Sequence, residues 1–185
     1  MLGATTIAAY DPARTRQTVS VPRSPADAVV ALRSLGRRWR GVIDGLGDDE
    51  SPDDLAHRVG SGGLAVGDHA VRATRTLSLL DRALEQVLVD EAAVLHPAVG
   101  DPAQRTGDGQ TRPVDDLIAE LAHEAERLAD RADRVTAADW GRRASVTGGG
   151  SDVSALDLLW DAVDSAVAAL KDADRTLREV RGRPV

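Results

Sequence analysis

The sequence predicts an all-α protein, an antiparallel four-helix bundle forming one domain over residues 1–185. Three observations carry that reading. Four long segments repeat apolar residues at steps of three and four, the spacing of one helix face. Phe and Cys are absent and aromatics make up 2%, so the core must be aliphatic, without disulfides or thiolate ligands. With 42% hydrophobic and 29% charged residues, the 185-residue chain has an ordinary globular composition and can bury one core.

Residues 1–23 read as an N-terminal extension, in which Thr18–Val21 is a candidate for brief strand pairing. The first helix is expected near 24–46, with Ser24 as N-cap, Pro25 at the first helical position, and the stripe Ala28, Leu32, Leu35, Trp39, Val42, Leu46. Acidic residues 48–54 and Gly60, Gly62 and Gly63 follow, with Ser51-Pro52-Asp53-Asp54 capping a short helix to Arg58. The second long helix, near 65–91, carries Val66, Ala70, Ala73, Leu77, Leu80, Leu84 and Val87. Residues 96–113 hold three prolines and three glycines and read as a long irregular crossover. The third helix, near 112–136, carries Val114, Leu117, Leu121, Ala125, Leu128, Ala132 and Val135. Gly148-Gly149-Gly150 turns into the fourth, near 152–181, with Leu156, Leu159, Val163, Ala166, Leu170, Ala173, Leu177 and Val180. A 3.5-residue repeat on every stripe suits helices crossing at about +20°.

Composition also excludes classes of function. A net charge of −7 and a pI near 5.1 argue against a nucleic-acid partner, which needs clustered cations. Arg37, Arg38 and Arg40 make only a small basic patch, read as a solvated face. No stretch reaches the roughly 18 apolar residues of a membrane span. The opening residues lack a basic n-region, so the expected location is the cytoplasm. No GxSxG elbow and no lysine-bearing phosphate loop is present.

Several segments carry a family resemblance. Gly62-Gly63-Leu64-Ala65-Val66-Gly67-Asp68-His69-Ala70-Val71-Arg72-Ala73 resembles the GGWSVxEHxxHV opening of the second helix in DinB-like proteins. Ala138-Asp139-Trp140-Gly141-Arg142 is similar to their xxDWxR segment. Ser154-Ala155-Leu156-Asp157-Leu158-Leu159 through Ala168-Ala169-Leu170-Lys171-Asp172 resembles TxxDLL…VHDxxHHLxD. The resemblance covers about residues 60–180 and implies a bundle of the DinB and mycothiol-dependent maleylpyruvate isomerase type. Many such proteins hold one divalent metal between a second-helix histidine and a fourth-helix HxxxH pair. Three neutral imidazoles leave a coordination position for water or a thiol cosubstrate.

This chain departs from that pattern at the ligands. The family frame puts Arg72 at the second-helix histidine and Asp164 and Ala168 on the HxxxH pair. A guanidinium stays charged and offers no lone pair, so the three-histidine site is not retained. The expectation is an Arg72–Asp164 ion pair where the metal would sit, weighed against both residues being solvated at a bundle end. A slip by one turn gives the alternative, His69, His96 and Asp164 holding Zn or Ni. The ExxH sequence Glu120–His123, with its echo Asp54–His57, has di-iron spacing but lies off the apolar stripe and reads as solvated.

The favoured expectation is a metal-free, non-catalytic protein with no cofactor, a binding or scaffold role, and a pocket of His69, Arg72, Trp160, Asp164 and Ala168 for a small polar or anionic ligand. The alternative is a metal-dependent mycothiol-type thiol transferase or isomerase on the shifted site. The resemblance also implies a homodimer.

Overall fold

The computed structural model describes residues 23–44, 51–105, 112–148 and 152–182. In chain order its helices are α1 (Pro25–Asp44), α2 (Pro52–Ala56), α3 (Val66–Val89), α4 (Pro97–Gly100), α5 (Val114–Ala132) and α6 (Ala155–Val180). The four long ones are the four periodic segments, and they form an all-α four-helix bundle. Their apolar stripes meet in one core, where Leu32, Trp39, Leu77, Leu84, Leu121, Leu128 and Leu159 are fully buried. None of the described helices is long and apolar enough to cross a membrane.

Each long helix packs on two neighbours. α1 lies against α5 and α6, and α3 lies against the same two. Consecutive long helices α1 and α3 therefore stand across a diagonal, as do α5 and α6.

The expected irregular connections carry structure of their own. Three short strands, β1 (Val94–Leu95), β2 (Arg143–Val146) and β3 (Val153–Ser154), form a sheet in the order β1-β2-β3. β1 pairs parallel with β2, and β2 antiparallel with β3. Segments of two to four residues are too short to show a hydrophobic period, so nothing in the pattern announced them. The candidate strand at Thr18–Val21 lies outside the described residues. The crossover at 96–113 includes α4 and a 3-10 turn over Pro102–Gln104.

Helix α6 begins at Ala155, later than expected, because Val153 and Ser154 belong to β3. Ser154 then caps the helix: its Oγ accepts the Asp157 N–H at 3.1 Å, and Asp157 Oδ2 accepts the Ser154 N–H at 3.0 Å. That bonding holds the Asp157 carboxyl below its ordinary range. At α3 the Asp68 carboxylate accepts the Ala65 N–H at 2.9 Å, fixing the first turn. α2 is tied to α5 by Asp53 Oδ1, which accepts the Val114 N–H at 2.7 Å.

Two sets of ion pairs sit among the apolar contacts. Asp81 on α3 is only 1% exposed and meets Arg131 Nε at 2.6 Å and Arg127 Nε at 3.1 Å, both from α5. Arg105, at the end of the crossover, is 7% exposed and pairs with Asp161 on α6. The first set joins α3 to α5, and the second joins the crossover to α6.

Candidate functional site

A groove opens between α3 and α6. On α3 its wall is His69, Arg72, Ala73 and Thr76, spaced i, i+3, i+4, i+7. On α6 it is Ser165, Ala168, Ala169 and Asp172, at the same spacing. Both sets are single helix faces beside the core stripe, brought together because α3 and α6 pack along their length. Small residues at Ala73, Ala168 and Ala169 leave room for a cavity of about 220 Å³.

The groove brings together three of the five pocket residues expected from sequence, His69, Arg72 and Ala168, and leaves two outside. Asp164 carries an exposed carboxylate 3.0 Å from Arg23 Nη2. The Arg23 guanidinium also lies over Trp160, 5.1 Å from the ring centroid. The expected Arg72–Asp164 pair therefore does not form. One residue along a helix is a rotation of about 100°, so Asp164 points to solvent where Ser165 faces the groove.

Arg72 is half-buried and, among the described residues, has no ion-pair or hydrogen-bond partner. His69 is buried, with Nε2 3.2 Å from Thr176 Oγ1. Burial pushes its imidazole below the ordinary histidine value; Asp172 opposes that shift, and Arg72 adds to it. The Asp172 carboxylate is paired with Arg175 one turn on.

One end of the groove is lined by Arg105, which sequence reasoning missed. Its Nε donates to the Ala98 carbonyl at 2.8 Å and its Nη2 to that of Val99. Nη1 donates to Asp161 Oδ1 at 3.2 Å and to Ser165 Oγ at 3.3 Å, and Nη2 to Asp161 Oδ2 at 2.6 Å. All of its donors point at protein acceptors, so Arg105 is a wall and Arg72 is the cation left to the groove. The sequence signal was slight, a lone arginine between prolines and glycines.

The side chains present do not suit a three-histidine metal centre. His69 is the groove's one imidazole, Asp172 is engaged by Arg175, and the guanidinium of Arg72 repels a cation. Among the described residues, no three His, Cys, Asp or Glu side chains stand close enough to share a metal ion. His69, His96 and Asp164 in particular do not converge. His96 caps α4, its Nδ1 accepting the Ala98 N–H at 3.2 Å, while Asp164 turns to Arg23. The ExxH residues do not converge either: Glu120 pairs with Arg112 at 2.6 Å, His123 is exposed, and His57 Nδ1 lies 2.7 Å from the Asp53 carbonyl.

Neither a protein-family model nor a curated protein sequence matches the chain. Its fold is similar to that of YfiT from Bacillus subtilis, described as "a probable metal-dependent hydrolase with an unusual four-helix bundle topology". The two structures superpose with a TM-score of 0.70 at 13% identity, over 96% of this chain and 97% of the other. The likeness spans the whole bundle and is one of fold, a four-helix bundle.

Proposed function

We propose that this chain is a DinB-like protein that binds a small anionic or polar ligand in the α3–α6 groove, with Arg72 as the anion contact and without a catalytic metal. One observation carries the reading: a half-buried guanidinium lines a cavity and has no acidic partner among the described residues. A cation so placed recognises a carboxylate or phosphate through charge-assisted hydrogen bonds. Neutral His69 beside it offers a further polar contact without competing charge.

The competing reading is metal-dependent chemistry, favoured by the description of the structural neighbour YfiT. Elemental analysis of tag-free protein, expressed with added zinc, nickel and manganese, separates the two. The binder should purify without stoichiometric metal and bind acetate or phosphate saturably, with the binding lost in Arg72→Ala. Near one metal per chain, lost in His69→Ala, would instead establish the metal-dependent reading.

A further inference from the structure

The α3–α6 groove is small for a complete ligand site. Its cavity of about 220 Å³ lies below the roughly 300–1,000 Å³ of typical small-molecule pockets. A second and larger cavity of about 640 Å³ adjoins it, between the crossover and the β2–β3 hairpin. The two share Pro102 and Arg105 as lining residues. Arg105 is held down by α4 carbonyls and by Asp161 and Ser165, so it forms a fixed sill between two open clefts.

The chemistry of the two cavities differs. The smaller offers Arg72, a cation without a partner among the described residues. The larger is walled by Pro97, Val99, Val146 and Val153, and its one arginine is the already neutralised Arg105. Asp101, also on its lining, spends both carboxylate oxygens on Ala103 N–H and Gln104 Nε2. The larger cavity thus suits an apolar body and gives an anion no free cation to meet.

We infer that the ligand is an elongated amphiphile, a carboxylate or similar anion on an apolar chain. Its charged head lies at Arg72, and its body crosses the Pro102–Arg105 sill into the chamber beneath β2–β3. This rests on the anion-binding reading above and extends it by a ligand class. It also gives the sheet a role in the site, since β2 and β3 supply Val146 and Val153 to the chamber wall.

The test is calorimetric titration of the full chain with acetate, butyrate, hexanoate and octanoate, each below its aggregation concentration. Affinity should rise about two- to fourfold per methylene once the chain passes the sill, as apolar surface leaves water. Thr147→Glu puts a carboxylate on an exposed residue of the chamber lining; it should weaken octanoate at least tenfold and leave acetate unchanged. Arg72→Ala should weaken every member of the series.

A flat series, with binding still dependent on Arg72, would overturn the elongated ligand while leaving the small-anion reading intact. Length dependence that ignores Thr147→Glu would place the chain elsewhere and overturn the inference too. No binding of any carboxylate, or binding indifferent to Arg72→Ala, would remove the anion site itself and the inference with it.

Discussion

Arg105 Nη2 stands 2.6 Å from Asp161 Oδ2 and its Nη1 3.2 Å from Asp161 Oδ1, a bidentate pair that pins the end of the crossover to α6. The arginine side chain is 4% exposed and the aspartate 34%, so the pair is only partly desolvated. Removing the cation leaves two backbone carbonyls without this donor and the Asp161 carboxylate with only the Ser165 hydroxyl, 3.0 Å from Oδ1. Arg105→Ala should therefore cost about 2–4 kcal/mol, less than loss of one partner from a fully buried pair. Arg105→Lys should recover little, because an ammonium cannot reproduce the planar fork. Urea unfolding midpoints of the three proteins check both points.

Arg72 and Asp164 should behave in the opposite way. They do not touch, and Asp164 pairs with Arg23 in solvent, both side chains being more than half exposed. Arg72→Ala and Asp164→Ala should each change stability by less than about 1 kcal/mol. Their effects should add, since the residues share no partner. A double-mutant cycle in urea reads the coupling directly, and a coupling above about 1 kcal/mol would put the two side chains in contact after all.

That contrast shows where the sequence was legible. Long stripes such as Leu77–Leu80–Leu84 announce a helix and its buried face together, because burial and periodicity are one constraint. The groove lies beside the stripe, where no hydrophobic period fixes the register. Of the two α6 positions that the family frame singles out, Ala168 lines the groove, while Asp164 turns to solvent and Ser165 faces the groove beside it. Asp81, between Leu80 and Leu84, shows the same limit: charge within a stripe marks a buried ion pair only once Arg127 and Arg131 are seen to reach it. Arg105 was beyond reach, because its partners lie on α4 and α6, and Asp161 is 56 residues away in the chain.

His69 gives the site a pH dependence whose sign is fixed by burial. Its folded-state value is depressed, so the unfolded chain binds the proton more readily. Stability should be fully present above the unfolded value, near pH 6.5, and fall as pH drops from there toward the folded value. Asp172 and Asp68 oppose the depression, while Arg72 and Arg175 reinforce it. Urea midpoints from pH 8 to 5 should decline more steeply for the wild type than for His69→Gln, which has no imidazole to charge. Parallel curves would place His69 in solvent.

Gly36 pits helix propensity against packing. Alanine is the better helix former by about 1 kcal/mol, so at an open position Gly36→Ala would stabilise α1. Here a Cβ would stand 2.8 Å from the Cβ of Ala122 on α5. A methyl has no rotamer by which to retreat, so α1 and α5 must part, and every stripe contact between them loosens. Overpacking of this kind costs about 1–3 kcal/mol, which outweighs the propensity gain. Gly36→Ala should lower stability by roughly 0.5–2 kcal/mol in urea unfolding. Combining it with Ala122→Gly moves the methyl to the other helix and restores the approach, so the double variant should be more stable than Gly36→Ala alone. At Gly41 on the same helix, no atom of the described residues, its own helical turn aside, lies within 4 Å of the Cβ position. Gly41→Ala should raise stability by up to about 1 kcal/mol, the propensity effect without the clash.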